Sequence, residues 1–357
     1  MRIPEPVNIM TASLVPGDAI GNYILTLRRL LEHEGKEVQL FADHIAPQYG
    51  DIARLSRYYR PGTGTLWYHY SIYADNLKQI QKPAGFKIVD YHGVSPPALL
   101  QKYDPHLADL CKQGVDELPS YNTAFDISIV HSEYTRGELQ RLGFRDVHKL
   151  PLVVDTSRFS GSEDTKLSEL LQRLSYLLFV GRMVPQKDLL AMIEIFAHFH
   201  RLQPEAVLTL VGGRHLASAY QREIGRLIKH HHLEGHVLFT GQVNDASMLT
   251  SLYQHAKFTL ITSEWESFCV PIVESMTFGT PLIIHSTPPL PEVMGRAGIV
   301  IDKRDPAAAA AAIHRLWNDR EAYTKLVDVC VGRANAFTEA ALASQLLSLF
   351  GGIFRDD

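Results

Sequence analysis

Residues 262–281 read T-S-E-W-E-S-F-C-V-P-I-V-E-S-M-T-F-G-T-P, and this stretch guides the interpretation of the whole chain. It follows an apolar run at residues 258–261 that has the composition of a strand, and Pro271 suits the first turn of a helix. Glu266 is then expected in the loop between strand and helix, and Glu274 in the first turn of the helix. Open α/β sheets bind ligands at the carboxyl ends of their strands. Two carboxylates at that position can accept hydrogen bonds from pairs of hydroxyl groups.

The same helix start and a second motif are suited to binding an anion. Unpaired amides around residues 270–273 can take a phosphate, because a helix N-terminus carries a partial positive charge. Residues 179–187 read F-V-G-R-M-V-P-Q-K, in which Gly181 allows close approach of a ligand and Arg182 and Lys187 supply two cations. The alternative is an ordinary surface pair of charges.

The first of these stretches resembles the signature of retaining GT-B glycosyltransferases of the family-4 type, also called glycosyl transferases group 1. That signature is usually E-G-F-G-L-P-x-x-E-A-M-A-x-G-x-P, and most of its specified positions agree here in type and spacing. Ser267 and Cys269 depart from it, since glycines are common at both positions, and they should narrow the backbone freedom of the loop. The run from Gly181 to Lys187 matches the family's G-R-x(4)-K pattern.

The resemblance implies a role for each of these residues. Glu266 would bind sugar hydroxyls and Glu274 the ribose, while Arg182 and Lys187 would neutralise the donor diphosphate. The leaving phosphate would help to deprotonate the acceptor, so that no dedicated base is needed. No metal or other cofactor is predicted, because the sequence contains no D-x-D element for a divalent cation.

Further donor-binding residues follow from the same resemblance. Phe268 and Val270 lie inside the signature, and Gly212 and Val243 follow strands that resemble the family's stretches bordering the nucleotide base. Gly212 has an alternative interpretation, as a glycine that only turns a strand into a loop.

In the first domain, His92 stands at the tip of a predicted strand and resembles the family's active-site histidine. Gly17 and Asp18 stand where the family has a loop that faces the donor phosphates and the acceptor. For Asp18 the alternative is a helix cap. His131 is interpreted as structural, with Ser132 as the N-cap of the next helix.

The alternation of strands and helices predicts an α/β protein. Two Rossmann-like doubly wound domains in tandem are the simplest arrangement of these elements. The family resemblance implies that they form a GT-B fold, in which the domains face across a cleft and a C-terminal helix crosses back to the first domain. The predicted parts are an acceptor-binding domain at residues 1–158, a nucleotide-sugar-binding domain at residues 167–336 and the C-terminal helix at residues 337–357.

Composition narrows the class of protein. A length of 357 residues fits two domains at about 150 residues each. The net charge of −4 argues against nucleic acid as a partner. Three distant cysteines suggest neither a disulfide framework nor a zinc site, and a reducing cytoplasm is the expected location. Residues 54–60, with three arginines and two tyrosines, are interpreted as a solvated face, with peripheral contact to the inner side of a membrane as the alternative.

The predicted function is a metal-independent retaining glycosyltransferase, hexosyltransferase-like, that moves a sugar from a nucleotide-diphosphate sugar to a hydroxyl acceptor. The acceptor class is a glycan, a polysaccharide or a lipid-linked sugar. Two alternatives stay open. One is a sugar-nucleotide epimerase on the same fold, and the other is a non-catalytic subunit that binds a nucleotide sugar.

Overall fold

The computed structural model describes residues 2–154, 159, 163–213 and 218–354. The chain divides into two compact units. The first comprises Met1–Ala98, His106–Asp155 and Ala336–Asp357, and the second comprises Leu99–Pro105 and Thr156–Asn335. Residues 99–105, which the sequence predicts to lie in the first domain, belong to the second unit. The predicted boundary at residue 158 lies outside the described residues.

The first unit contains a parallel sheet of seven strands. Its strands are β1 (Val7–Leu14), β2 (Val38–Ile45), β3 (Ala53–Leu55), β4 (Thr65–Tyr70), β5 (Phe86–Tyr91), β6 (Ile127–Val130) and β7 (Val147–Lys149). Their order across the sheet is β3-β2-β1-β4-β5-β6-β7, so the order reverses between β1 and β4. All residues of β4 and β6 are buried, as expected for parallel strands that are covered on both faces.

The helices that follow these strands are α1 (Ala19–His33), α2 (Pro97–Leu100), α3 (Pro105–Glu117) and α4 (Glu133–Arg141). Helix α1 begins at its N-cap Asp18 and buries Ile24, Leu27 and Leu31, which share one face at helical spacing. Ser132 caps α4 by accepting a hydrogen bond from the amide of Thr135, which confirms the predicted cap.

The second unit contains a parallel sheet of six strands. Its strands are β8 (Ser175–Val180), β9 (Ala206–Val211), β10 (Val237–Gly241), β11 (Phe258–Ile261), β12 (Leu282–His285) and β13 (Gly298–Ile301). The order β10-β9-β8-β11-β12-β13 is that of a doubly wound nucleotide-binding sheet. The order reverses between β8 and β11, and ligands bind such sheets outside the strand ends at that point.

Eight α-helices accompany this sheet in the part of the chain that the structure describes. They are α5 (Thr165–Leu171), α6 (Leu189–Leu202), α7 (Ser218–His230), α8 (Ala246–Gln254), α9 (Val270–Thr277), α10 (Leu290–Met294), α11 (Pro306–Asn318) and α12 (Arg320–Ala334). The core on one face of the sheet is built from α6, α7 and α11, with Phe196, Phe199 and Ile313 fully buried.

The last helix, α13 (Glu339–Ile353), groups with the first unit. Arg29 on α1 forms an ion pair with Glu339 at its start. Phe350 packs edge-on against Trp67 of β4 with 5.8 Å between the ring centroids, and both side chains are fully buried. This helix therefore completes the core of the first unit.

Two details of the first sheet differ from the expectations. The apolar run at residues 150–154 predicts a closing strand, but the strand is Val147–Lys149, in the three residues before that run, where it pairs with β6. The segment at residues 54–60 is not wholly a solvated face. It begins in the edge strand β3, and Tyr59 is 2% exposed and packs edge-on against Phe41.

No single helix among the described residues is both long and apolar enough to cross a membrane. One consecutive pair, Arg320–Phe337 with Glu339–Ile353, meets the length and composition criteria jointly, although the two are bent by 40°.

Candidate active site

The loop after β8 carries the predicted phosphate-binding residues. Gly181 directly follows the strand with φ of +154°, and Gly212 follows the neighbouring β9 with φ of +147°. A Cβ atom on Gly212 would lie 1.8 Å from the carbonyl oxygen of Gly181. Only glycine allows the two strand ends to approach this closely, so the interpretation of Gly212 as a simple turn residue is incomplete.

The two cations of this loop have different surroundings. Arg182 is exposed, and it forms no ion pair with any residue in the described part of the chain. Lys187 ends the short 3-10 helix Pro185–Lys187, and its Nζ donates a hydrogen bond of 2.6 Å to Oε1 of Glu266. The side chains of this pair are 19% and 7% exposed, so the ion pair is largely removed from water. Electrostatic attraction is stronger in such a position than at the surface.

Glu266 lies in the loop between β11 and α9, as predicted. Its Oε1 also accepts a hydrogen bond of 2.7 Å from the hydroxyl of Ser263, three residues earlier. The lysine and the serine thus fix one carboxylate oxygen of Glu266 from two sides. A carboxylate that is held in this way is oriented before any ligand arrives.

Cys269 is the residue at which the chain leaves this loop and enters α9. Its backbone is left-handed, with φ of +80° and ψ of +77°, at the position where the related signature commonly has glycine. Burial and the neighbouring negative charge of Glu266 raise the pKa of the Cys269 thiol well above its ordinary value. The thiol therefore stays protonated at neutral pH. The loop was predicted to have less backbone freedom than one with glycine, and here Cys269 is a non-glycine residue held at positive φ.

Glu274 occupies the middle of α9 and is 4% exposed. It accepts a hydrogen bond of 2.7 Å from the hydroxyl of Tyr253 on α8. The ring of Tyr253 stacks on Phe278 at 5.5 Å, which holds the hydroxyl in place. Glu274 lies on the predicted helix, but as its fifth residue and not in the first turn, because the helix already begins at Val270. The sequence gives no signal for Tyr253, which belongs to a different helix.

The remaining predicted donor-binding residues lie at neighbouring strand and helix ends. Phe268 is 4% exposed, whereas Val270, the first residue of α9, is half-buried. Val243 follows β10 and packs half-buried against the apolar cluster that includes Tyr253. These side chains supply apolar surface close to the polar residues, as ligand sites in proteins usually do.

A lysine that the sequence analysis did not select lies behind these loops. Lys303 follows β13 and is 6% exposed. Its Nζ donates to Oδ2 of Asp188 at 2.7 Å and to the carbonyl of Thr262 at 2.9 Å. It also forms an ion pair of 2.7 Å with Glu264. Its partners belong to the loops that carry Lys187 and Glu266.

In the first unit, the loop after β1 contains Gly17 and Asp18. Gly17 has φ of +73°, which favours glycine. Oδ2 of Asp18 accepts a hydrogen bond of 2.9 Å from the amide of Gly21 and caps α1. The helix-cap interpretation of Asp18 is thereby confirmed, and its predicted contact to an acceptor stays a prediction.

His92 directly follows β5 at the predicted strand tip, but its side chain is only 4% exposed. Its Nε2 lies 2.9 Å from Nδ1 of His69 on β4, and one of the two nitrogens donates to the other. Asp90 on the same strand is fully buried, with Oδ1 at 3.5 Å from the Nε2 of His92. His92 is therefore one member of a buried polar cluster in the first unit.

His131, after β6, completes this cluster. Its Nδ1 donates to the carbonyl of Leu150 at 3.1 Å, and its Nε2 lies 2.8 Å from Oδ1 of Asp90. The ring of Tyr23 on α1 packs edge-on against all three histidines. The structural role of His131 stays a prediction, and the structure adds Asp90 as its neighbour.

Burial dominates the protonation of the cluster. It lowers the pKa of His69 to about 4 and that of His92 well below its ordinary value, against the opposing charge of Asp90. Burial would raise the pKa of Asp90, but the three histidines, His131 foremost, outweigh it and hold that pKa below its usual range. His69 and His92 are thus neutral at pH 7 beside an ionised aspartate. One donor atom from each of His69, Asp90 and His92 lies within 4.8 Å of the others. The hydrogen bond between the two histidines occupies one nitrogen of each.

Part of the second unit matches a known protein family. Residues 163–328 match the model of the family described as "Glycosyl transferases group 1". Mannosylfructose-phosphate synthase of Agrobacterium fabrum is 26% identical over 219 residues, which are 58% of this chain and 48% of that protein. The chain spans about half the length of the curated relatives it matches, or less in several cases.

Solved structures show the same fold. Sucrose-phosphate synthase of Thermosynechococcus elongatus has a TM-score of 0.75 at 21% identity, covering 98% of this chain and 99% of that one. HepE of Anabaena, in complex with UDP-glucose, has a TM-score of 0.71 at 15% identity, covering 97% and 99%. The fold class predicted from the sequence, two parallel α/β units of the GT-B type, is confirmed.

Proposed function

We propose that the chain is a retaining glycosyltransferase that uses a nucleotide-diphosphate sugar, because residues 163–328 match the model of the family described as "Glycosyl transferases group 1". The acceptor is a hydroxyl of a glycan, a polysaccharide or a lipid-linked sugar. The observation that carries the proposal is the ion pair of Lys187 and Glu266, at 2.6 Å, at the two strand ends that flank the reversal point of the sheet. It joins the cation and the acid that the family resemblance assigns to one donor.

The donor diphosphate is assigned to three groups of the second unit. Arg182 and Lys187 supply positive charge, and the first amides of α9 supply hydrogen-bond donors at a positive helix end. Charge that builds on the leaving phosphate is stabilised by such fixed cations and dipoles without solvent reorganisation. In this assignment the cations of the protein balance the diphosphate, and no divalent metal is required.

The sugar and the ribose are assigned to the two carboxylates. Glu266 accepts hydrogen bonds from sugar hydroxyls, with its Oε1 fixed by Lys187 and Ser263. Glu274 receives the ribose hydroxyls, with Tyr253 fixing its orientation. Gly212 and Gly181 leave their strand ends without side chains, and Val243, Phe268 and Val270 provide the apolar surface for the base.

The remaining assignments concern the first unit and the reaction. His92 is kept as the proposed contact to the reacting sugar, and Gly17 with Asp18 as proposed contacts to the phosphates and the acceptor. Retention follows if the leaving phosphate accepts the acceptor proton on the face from which it departs. The bond between the anomeric carbon of the sugar and the phosphate oxygen breaks, and a bond from that carbon to the acceptor oxygen forms on the same face. The proton of the acceptor hydroxyl goes to the nucleoside diphosphate.

A ligand screen tests the proposal first. The thermal unfolding midpoint is measured with UDP-glucose, UDP-N-acetylglucosamine, GDP-mannose and the free nucleotides, because a ligand that binds only the folded state raises that midpoint. The donor so identified is then incubated with hydroxyl acceptors, with and without EDTA. Transfer that persists in EDTA supports the metal-independent mechanism. Conversion of the donor without acceptor favours an epimerase, and binding without any conversion favours a non-catalytic subunit. If no nucleotide sugar shifts the midpoint, the proposal is wrong.

A further inference from the structure

We propose that Lys303 is a positioning residue for the donor site, because it fixes the two loops that present Lys187 and Glu266. The part of this inference that concerns donor binding rests on the proposed function. Its structural part, that Lys303 orders both loops, stands independently of any ligand.

Lys303 reaches its partners from a distant part of the sheet. It follows β13, which is two strands away from β11 and three from β8. At the usual spacing of parallel strands, β13 and β11 are about 10 Å apart. The long side chain of lysine spans part of this distance, and the loops supply the rest. The residue is therefore outside both loops and can hold them together.

The contacts of the ammonium group are divided between the two loops. Asp188, which directly follows Lys187, accepts a hydrogen bond of 2.7 Å from Nζ of Lys303. In the segment that leads into Glu266, the carbonyl of Thr262 accepts a hydrogen bond of 2.9 Å from the same Nζ. Glu264 forms an ion pair with it at 2.7 Å. A single cation thus bonds to residues adjacent to both members of the ion pair that carries the proposed function.

The two loops are also joined to each other by hydrogen bonds, and these bonds form only when the loops hold their present relative position. The amide of Glu264 donates to the carbonyl of Gln186 at 2.8 Å. The hydroxyl of Thr262 donates to the carbonyl of Asp188 at 2.9 Å. Asp188 has a left-handed backbone, with φ of +46°, and its other carboxylate oxygen caps α6. The charge of Lys303 stabilises this arrangement by neutralising a carboxylate in each loop.

Lys303 is unsuited to direct contact with a substrate. Its side chain is 5% exposed, and its Nζ already has three oxygen partners. A buried lysine with two carboxylates loses much stabilising interaction if either side is removed, because a buried charge is then left unpaired. Its expected effect on a donor is therefore indirect, through the geometry of Lys187 and Glu266.

The experiment compares Lys303→Met with a matched exposed lysine. Lys325→Met is the control, since Lys325 pairs with Glu321 on the surface of α12 with side chains 72% and 80% exposed. Hydrogen exchange of the ligand-free proteins is followed by mass spectrometry in residues 181–189 and 262–270. The expected result for Lys303→Met is at least tenfold faster exchange in both loops, with exchange in β1 and α1 unchanged. Lys325→Met should match the wild type.

Donor binding is measured on the same variants by calorimetry, with UDP-glucose, UDP and GDP-mannose as probes. Lys303→Met should weaken binding of whichever probe binds the wild type by at least tenfold, at a temperature where the variant is folded. If Lys303→Met does not fold, Glu264→Gln removes one partner at a half-exposed site and should change the exchange of both loops in the same direction.

The outcomes separate the two proposals. If no probe binds the wild type, the proposed function fails, while the exchange data still decide whether Lys303 orders the loops. Unchanged exchange in both loops together with donor affinity within twofold of the wild type would overturn the inference. A general rise in exchange throughout the second unit, with donor affinity unchanged in the folded variant, would also overturn it, because that result indicates a purely structural residue.

Discussion

Lys187 and Glu266 are bonded to each other at 2.6 Å, although the proposal assigns one to the diphosphate and the other to the sugar of a single donor. The two residues are 79 positions apart in the chain and come from loops on either side of the reversal point of the sheet. Because the pair is largely buried, the protein holds the cation and the acid together without a ligand. A donor phosphate would then share a lysine whose position is already fixed.

Replacement of Lys187 by alanine should reduce turnover by about 10²- to 10³-fold, the cost typical of removing one group that stabilises transition-state charge. The measurement is the steady-state rate with the donor that the thermal screen identifies. Circular dichroism should show an intact fold, and Lys325→Ala serves as the control at an exposed ion pair. Near-normal turnover of the Lys187 variant would remove the diphosphate assignment.

Replacement of Tyr253 by phenylalanine should raise the dissociation constant of the donor by about tenfold or more, because hydrogen bonds to charged groups contribute about 1.5–3 kcal/mol. The buried Glu274 would lose the hydroxyl at 2.7 Å that orients it. Tyr176→Phe is a matched control, since that buried tyrosine donates a bond of 2.6 Å to the backbone of Leu252 and not to a carboxylate. Equal donor affinity in both variants, measured by calorimetry, would argue against a role of Glu274 in binding the ribose.

Replacement of Gly212 by alanine should destabilise the second unit by several kcal/mol, since a new Cβ would collide with the carbonyl of Gly181 at 1.8 Å. Gly235→Ala is the control, because Gly235 also has a positive φ, of +90°, but no atom within 4 Å of the new Cβ. The difference between the two variants in free energy of unfolding by urea isolates the collision from the cost of the backbone angle. Equal losses would mean that the strand ends can separate without cost.

Cys269 allows the left-handed backbone at the start of α9 to be tested. Cys269→Val should destabilise by about 2 kcal/mol more than Cys269→Gly, because a β-branched side chain is strongly disfavoured at φ of +80° whereas glycine is not. Glycine loses the buried thiol but relieves the backbone, so its own effect should stay within about 1 kcal/mol of the wild type. Urea unfolding measures both. A valine variant as stable as the glycine variant would indicate that the loop changes its backbone.

The stability of the protein should fall as the pH drops from about 6.5 to 4. Burial lowers the pKa of His69 from 6.5 to about 4, so the unfolded chain binds a proton in this range that the folded chain does not. The contribution of His69 is therefore complete above pH 6.5 and is lost as the pH falls to about 4, with a slope of at most about 1.4 kcal/mol per pH unit. The groups that face it are Asp90, His92, His131 and Tyr23, and the lowered pKa of His92 acts in the same direction.

His69→Gln should flatten this dependence when the free energy of unfolding is measured between pH 4.5 and 7.5. His106→Gln at an exposed position near the start of α3 is the control and should keep the slope of the wild type. An unchanged slope in His69→Gln would show that the cluster takes up a proton in the folded state.

The features of the fold and site that could be predicted are those that depend on residues close together in the sequence. Glu266, Cys269 and Glu274 lie within one strand, loop and helix, so their spacing fixes where each one stands on those elements. The alternation of strands and helices likewise predicts the fold class, because parallel strands need crossover helices. The alanine-rich run at residues 306–317 and the amphipathic runs at residues 320–336 and 338–350 predict α11, α12 and α13 to within a few residues of their observed bounds.

The part that could not be predicted depends on contacts between distant strands. Lys303 meets Asp188 across 115 positions, and nothing in the residues after β13 distinguishes it from an exposed lysine. The histidine cluster joins β4, β5 and β6, so its members are neighbours only once the strand order is known. The pair Asp90 and His92, two positions apart at the end of one strand, was the one local signal of this cluster.

The helix Glu339–Ile353 is translated only after the whole second unit, yet it supplies Phe350 to the core around Trp67. During synthesis, then, the indole of Trp67 stays uncovered by Phe350 until about 280 later residues have been added to the chain. Cotranslational folding of this chain therefore cannot proceed strictly from its beginning to its end. A chaperone that recognises uncovered aromatic surface would find it on the sheet of the first unit.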